Sequence, residues 1–375
     1  MNTTLSSNLF GPTYVRAIAP YIGGRPITEV AREFNLQPEK IIKLASNENP
    51  LGMPTSARIA IQNSLEDIAR YPDGNAFELK QALSKKFAVP ETWITLGNGS
   101  NDILELVARA CVAVGQEVIF SEYAFAVYAI VTQAVGGVAK ITPAINYGHD
   151  LSAMLQAINE RTRLIYIANP NNPTGTFCAA EEIQNFLSQV PPHIVVVLDE
   201  AYTEYLSATQ KYNAIAWVQR FPNLLISRTF SKAYGLAGLR IGFGIAQPEL
   251  TDLLNRIRQP FNVNSPAQVA AIAALNDDEF IDRSASLNAQ GYAQLTTELD
   301  ALELSYLPSA ANFILIKVGN HEHAGLDISN KLLAAGIIVR PVANYGLPQH
   351  IRVTIGLPEE NAAFIKALQA ITDKP

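Results

Sequence analysis

Residues 194–202 read Ile194-Val195-Val196-Val197-Leu198-Asp199-Glu200-Ala201-Tyr202. Four of the first five are β-branched, and polar residues do not alternate with them. A half-exposed strand would show a period of two. An unbroken apolar run describes a strand covered on both faces, as in a parallel sheet between helix layers. Polar residues begin where that strand must end, and in such sheets ligands bind beyond the carboxyl ends of the strands.

Similar runs lie on both sides. They are Trp93-Ile94-Thr95-Leu96, Glu117-Val118-Ile119-Phe120, Leu164-Ile165-Tyr166-Ile167-Ala168, Leu224-Leu225-Ile226-Ser227 and Ile241-Gly242-Phe243-Gly244-Ile245. Helical patterns separate them; Ile103, Leu106, Val107 and Ala110 fall at three- and four-residue spacing on one face. The alternation predicts an α/β fold with a mostly parallel sheet covered by helices. After Pro266 the pattern changes. A long helix with Leu295, Leu299 and Leu302 on one stripe precedes strand-like runs at 313–316, 337–339 and 351–354, which predict a smaller α/β domain. The expected organisation is an N-terminal arm (1–45) packing on the small domain or a partner, a large domain (46–265) and a small one (266–375). A chain of 375 residues exceeds the roughly 250–300 at which single cores stop growing, which agrees with two domains.

Composition excludes several functions. Hydrophobic residues make up 48% and charged residues 17%, so the chain folds into a packed core. A net charge of -6 without a basic cluster argues against a nucleic-acid partner. The apolar runs are too short to span a bilayer, and Met1 to Phe10 lacks the pattern of a signal peptide. Cys111 and Cys178 have no metal-ligand spacing; no metal is expected, and the thiols suit a reduced, cytoplasmic protein.

Four polar motifs follow strand ends. Gly97-Asn98-Gly99-Ser100-Asn101 opens a helix, where free backbone N–H groups suit a phosphate; it equally describes a capped turn. Asn169-Pro170-Asn171-Asn172-Pro173-Thr174-Gly175 is a sharp turn carrying the Asn172 amide. Asp199, after five apolar residues, should be desolvated and in need of a cationic partner, unless it caps a helix. Arg228-Thr229-Phe230-Ser231-Lys232 places a lysine beside the Asp199 loop, and small residues lead from it to Arg240. A lone lysine is ordinarily a solvated group; here the surrounding motifs argue otherwise.

In this order the motifs resemble those of the fold-type I pyridoxal-phosphate (PLP) aminotransferases over nearly the whole chain. The resemblance implies the cofactor pyridoxal 5'-phosphate and a role for each matching position. Lys232 is then the covalent attachment point and proton shuttle. Asp199 pairs with the ring nitrogen, and Asn172 and Tyr202 bond the ring hydroxyl. Ser100, Asn101, Thr229, Ser231 and Arg240 bind the phosphate, and Phe125 stacks on the ring.

Within that family, Lys43-Leu44-Ala45-Ser46-Asn47-Glu48-Asn49-Pro50-Leu51-Gly52, Arg70-Tyr71-Pro72-Asp73, Ser231 to Gly242 and Ile351-Arg352-Val353-Thr354-Ile355-Gly356 look like the histidinol-phosphate aminotransferase branch. This implies a homodimer in which Tyr71 reaches the partner's cofactor phosphate. It also implies substrate contacts from Tyr21, Asn47, Arg340 and Arg352, with Arg352 clamping a carboxylate or phosphate. Tyr21-Ile22-Gly23-Gly24-Arg25-Pro26 does not distinguish imidazole from phenyl. An aromatic aminotransferase and a threonine-phosphate decarboxylase therefore stay open as alternatives. A PLP-binding regulator module would carry a basic helix-turn-helix extension, which the sequence lacks.

Overall fold

The computed structural model describes residues 10–21 and 23–372. Residues 1–9 of the expected arm, Ile22, and 373–375 of the expected small domain lie outside them.

A seven-stranded sheet holds β2 (Ile94–Gly97), β3 (Glu117–Ser121), β4 (Val138–Thr142), β7 (Thr162–Ala168), β8 (Val195–Asp199), β9 (Leu224–Thr229) and β10 (Gly242–Ile245), in the order β2-β10-β9-β8-β7-β3-β4. Only β10 runs against its neighbours β2 and β9. The sheet is thus mostly parallel. Along β7 and β8 successive side chains enter two different cores, which is why these strands read as unbroken apolar runs. Ile165, Ile167, Val196 and Leu198 pack with α3 (Thr55–Ser64), α4 (Phe77–Phe87), α7 (Leu151–Gln156), α8 (Ala180–Gln189) and α10 (Ser265–Leu275). Leu164, Tyr166 and Val197 pack with α5 (Ser100–Cys111), α6 (Ala126–Ala134) and α9 (Pro248–Ile257).

Some boundaries differ from the sequence reading. Trp93 closes a 3-10 turn before β2, and Ile241 precedes β10. The edge strand β4 was not expected. Four of its five residues are exposed, so it carries no buried signature. A hairpin of β5 (Ala144–Ile145) and β6 (Gly148–His149) follows it.

The second sheet is antiparallel, with β11 (Tyr306–Leu307), β12 (Phe313–Lys317), β15 (Leu347–Thr354) and β14 (Arg340–Val342) in that order. The run 337–339, read as one strand, divides. Ile337 and Ile338 form β13 and pair in parallel with β1 (Ile42–Lys43), after which Arg340 begins β14. On one face of this sheet Ile314, Ile316, Ile351 and Val353 meet α11 (Asp278–Ala301), α12 (Ala324–Ala334) and α13 (Pro358–Thr372). The expected stripe sits on α11, with Leu295 and Leu299 buried and Leu302 at its C-cap.

In the arm, α1 (Thr13–Arg16) lies against α6, where Gln133 Nε2 donates to the Tyr14 carbonyl at 2.9 Å. Helix α2 (Ile27–Phe34) packs Val30 and Ala31 against Leu333 and Ile338.

Phe364 of α13 is fully buried in the core beneath the second sheet. Phe364→Ala leaves a cavity there and is expected to cost roughly 3–5 kcal/mol. Urea unfolding of the variant should show a lower midpoint; an unchanged midpoint contradicts the packing described.

Candidate active site

The carboxyl ends of β7, β8 and β9 open on a cavity of about 310 Å³. Its base is set by the period of β8. Leu198 faces the α8 side, so Asp199 faces the α6 side. There the Tyr128 hydroxyl donates to Asp199 Oδ2 at 2.9 Å, and Oδ1 has no partner. Burial pushes the Asp199 carboxyl up to about 6, against the pull of the Tyr128 hydroxyl and the Ala201 amide. The sequence led us to expect a cation beside Asp199; its hydrogen-bond partner is a phenol. Glu200 points the other way. Its Oε2 receives Arg228 Nε at 2.9 Å and Nη2 at 2.8 Å, a buried ion pair outside the cavity.

Lys232 follows β9 after Phe230, which is anchored in the core. The turn beyond it needs glycine. Gly235 has φ 68°, and a Cβ there would strike the Gly52 carbonyl. Lys232 Nζ donates to the Ser46 carbonyl at 3.1 Å and stands 5.8 Å from the Tyr202 ring centre. Burial, helped by the Arg352 cation, pushes its ammonium down to about 8.

One end of the cavity is a cradle. Gly99, at φ 82°, caps α5, and a Cβ there would collide with the Arg240 guanidinium. Arg240 Nη1 donates to Ser231 Oγ at 3.3 Å and to the Ala237 carbonyl at 2.9 Å. Ser100 and Asn101, in the first turn of α5, and Thr229, ending β9, complete the cradle. These groups together offer hydroxyls, a helix N-terminus and a guanidinium to an anion.

The opposite wall comes from the second sheet. Ile351 and Val353 face its core, so Arg352 and Thr354 face the other way, and Arg352 lines the cavity. Arg340 is paired directly across from Arg352, and both are buried. Arg340 is therefore a strand residue of the cavity wall, not a surface arginine. Its guanidinium lies 5.4 Å from the Tyr21 ring centre. Arg352 Nη2 donates to the Ala45 carbonyl at 2.8 Å, and Nη1 bonds Asn172 Oδ1. Asn47 Nδ2 donates to the Tyr202 hydroxyl at 2.9 Å, while Asn47 N donates to Thr354 Oγ1 at 2.9 Å.

Thus Tyr21, Asn47, Ser100, Asn101, Phe125, Asn172, Asp199, Tyr202, Thr229, Ser231, Lys232, Arg240, Arg340 and Arg352 line one cavity. Tyr71 does not. It is 83% exposed and stacks on Phe261 at 4.7 Å. Sequence reasoning assigned nothing to Glu48, which lines the cavity and pairs with Lys43 at 2.8 Å, or to Tyr128. The signal for Tyr128 was its place three residues after Phe125, on the same face of a helix.

A family model, aminotransferase class I and II, matches residues 39–368. The chain is 65% identical to histidinol-phosphate aminotransferase 2 of Ralstonia nicotianae and 62% to histidinol-phosphate aminotransferase 1 of Cupriavidus pinatubonensis, each over 96% of both chains. Its structure resembles histidinol-phosphate aminotransferase from Sinorhizobium meliloti in complex with pyridoxal-5'-phosphate, at TM-score 0.90 and 28% identity over 98% of both chains. L-threonine-O-3-phosphate decarboxylase from Porphyromonas gingivalis shares the fold at TM-score 0.80, with 24% identity over 89% of this chain and 100% of that one. The chain belongs to the class I and II aminotransferases.

Proposed function

We infer that the chain is a PLP-dependent aminotransferase converting histidinol phosphate and 2-oxoglutarate to imidazole-acetol phosphate and glutamate, in histidine biosynthesis. One observation carries this: Lys232, Asp199 and Arg352 meet in one cavity of a chain 65% identical to a histidinol-phosphate aminotransferase.

The residues fit the cofactor. Asp199 Oδ1 is buried and without a partner, as a carboxylate awaiting a protonated ring nitrogen would be. At the cradle, the missing Cβ of Gly99 lets the Arg240 guanidinium lie against the start of α5, where it could meet a phosphate. When bound, PLP supplies an electron sink for the substrate's α-carbon. Lys232 would hold it covalently. Its amine, neutral above about pH 8, would take and return the α-proton. Asn172 accepts from Arg352 through Oδ1, which leaves Nδ2 to donate to the ring hydroxyl. Tyr202 accepts from Asn47, which leaves its own proton to donate to the same oxygen. Phe125 would cover the ring face. Ser100, Asn101, Thr229, Ser231 and Arg240 would hold the phosphate.

Substrate recognition follows from charge. Lys232, Arg240, Arg340 and Arg352 line the cavity against Asp199 and Glu48 alone. Such a site favours anions. Arg352 would clamp glutamate's carboxylate or histidinol phosphate's phosphate, helped by Arg340, Tyr21 and Asn47. We further propose that the large and small domains divide near residue 265, that the enzyme is cytoplasmic, and that it works as a homodimer. The exposed Tyr71–Phe261 stack, with Ile68 and Phe77 also exposed, is an apolar surface for a second copy. Tyr71 of one subunit would reach the other's phosphate. Among the described residues no helix is long and apolar enough to cross a membrane.

Borohydride reduction of the holoenzyme and peptide mapping should place the pyridoxyl group on Lys232. In the apoenzyme an amine-reactive probe should label Lys232 half-maximally near pH 8, because the neutral amine forms as pH rises through that value. A pyridoxyl group on another lysine refutes the assignment.

Arg352→Lys keeps the charge and loses the planar fork. KM is expected to rise roughly tenfold or more for glutamate and for histidinol phosphate together. A change for one substrate alone contradicts a shared clamp.

Mixing Tyr71→Ala with Lys232→Ala subunits should give heterodimers with one intact site and recovered activity, provided each parent homodimer is impaired. Heterodimers no more active than their parents exclude a site shared between subunits.

A further inference from the structure

We propose that Tyr128 is a positioning residue for the reaction, its hydroxyl holding Asp199 Oδ2 so that Oδ1 stays free for the cofactor's ring nitrogen. The inference rests on the PLP reading above and deepens it. Asp199 is 5% exposed, so its carboxylate depends largely on donors within the protein. Its side-chain hydrogen bond is the one from Tyr128. Losing that hydroxyl would leave both carboxylate oxygens without a side-chain donor inside the protein. A buried carboxylate in that position favours protonation or rotation about its terminal bond.

Tyr128 is itself held on every side. It is fully buried and stacks on Tyr166, with ring centres 4.5 Å apart and planes 2° from parallel. The Tyr166 hydroxyl donates to the Leu104 carbonyl at 2.8 Å, which ties the stack to α5. Phe125 meets the Tyr128 ring edge-on at 5.9 Å and 88°. Phe125 and Tyr128 are three residues apart at the start of α6 and share a face. The residue expected on the ring's face and the residue expected at its nitrogen are thus registered to each other through one aromatic side chain.

The groups facing Asp199 come from several elements. Tyr128 on α6, the Ala201 amide and Lys232 after β9 favour its anion, in that order of strength, while adjacent Glu200 opposes it. Tyr202 and Tyr166 also border it. Burial raises the Tyr128 phenol well above its ordinary value, so the hydroxyl remains a donor at any working pH.

A core-filling tyrosine and a positioning one differ in what the hydroxyl does for the ring nitrogen. The test measures Kd of the full-length apoenzyme for PLP and for 1-deazapyridoxal 5'-phosphate, in which a carbon replaces that nitrogen. Wild type should prefer PLP. Tyr128→Phe keeps both ring contacts and removes only the donor. Its Kd for PLP is expected to rise about tenfold, and its Kd for the deaza analogue to change less than about twofold. In the reconstituted variant kcat should fall with little change in KM. Tyr166→Phe, which removes from the same stack a hydroxyl bonded to the Leu104 carbonyl and not to Asp199, should keep the wild-type preference and so controls for loosened packing. Equal losses of both ligands in Tyr128→Phe, or an unaltered preference for PLP, overturn the proposal. Should Tyr128→Phe not fold, a variant with 4-aminophenylalanine at position 128, which keeps a donor at the same reach, should retain the preference for PLP, and its loss there would likewise overturn the proposal. A wild type that binds both ligands equally instead overturns the pairing of Asp199 with the nitrogen, which separates that failure from this one.

Discussion

The buried guanidinium of Arg352 is the joint on which the site depends. A cation in that place is tolerable only with acceptors around it, since an unpaired buried charge costs several kcal/mol. Its acceptors come from two distant parts of the chain: the Ala45 carbonyl before β2 and the Asn172 amide after β7. Phe313 of β12 lies 5.3 Å beneath it. Pairing the two terminal nitrogens of one guanidinium therefore brings the second sheet, the segment 44–49 and the carboxyl edge of the central sheet together. Further bonds follow the same seam. Asn312 Nδ2 donates to the Asn47 carbonyl at 3.0 Å, and Asn49 Nδ2 reaches the Ala233 carbonyl and Ser284 Oγ, both at 2.8 Å. The cavity is what remains between surfaces held this way.

Closing that cavity perturbs its charged groups in opposite directions, and the fold bears the cost. Asp199 is raised from 3.8 to about 6, so its contribution to stability is full below pH 3.8 and lost as pH rises through about 6. Lys232 is lowered from 10.5 to about 8, so the folded chain holds that proton less well than the unfolded chain does. Its penalty is full below about 8 and fades as pH rises toward 10.5. Between about 6 and 8 both penalties act together. A ligand that offers a cation to Asp199 and takes up the Lys232 amine relieves both, which gives binding a driving force.

The central strands were legible because burial on both faces leaves a signature in sequence. β4 was not, because an exposed edge leaves none, and the β13–β14 division was not, because it follows from pairing with residues roughly 300 positions earlier. Among site residues, Lys232, Asp199 and the Gly99 turn were visible through local motifs at strand ends. Arg340 could be read as a surface arginine until register placed it across from Arg352. Tyr128 escaped because its hydroxyl matters only through a residue 71 positions away. Local chemistry is written in consecutive residues, whereas the partner that completes it is chosen by topology.

That distinction is sharpest at Asp199 and Glu200. They are adjacent acids of one type, and in the sequence only the family motif, not their local chemistry, set Asp199 apart. The alternation of β8 sends them to opposite faces of the sheet. Glu200 enters the side where Arg228 is waiting, and two guanidinium N–H groups on its Oε2 offset its charge. Asp199 enters the side where the partner is a phenol, which steadies one oxygen without neutralising the charge. The charge of Glu200 is offset by arginine, and the residue does not line the cavity. A carboxylate held only by a hydroxyl keeps an oxygen and most of its charge available. Which of the two carboxylates faces the cavity, and which an arginine, is thus decided by the face of the strand on which each falls.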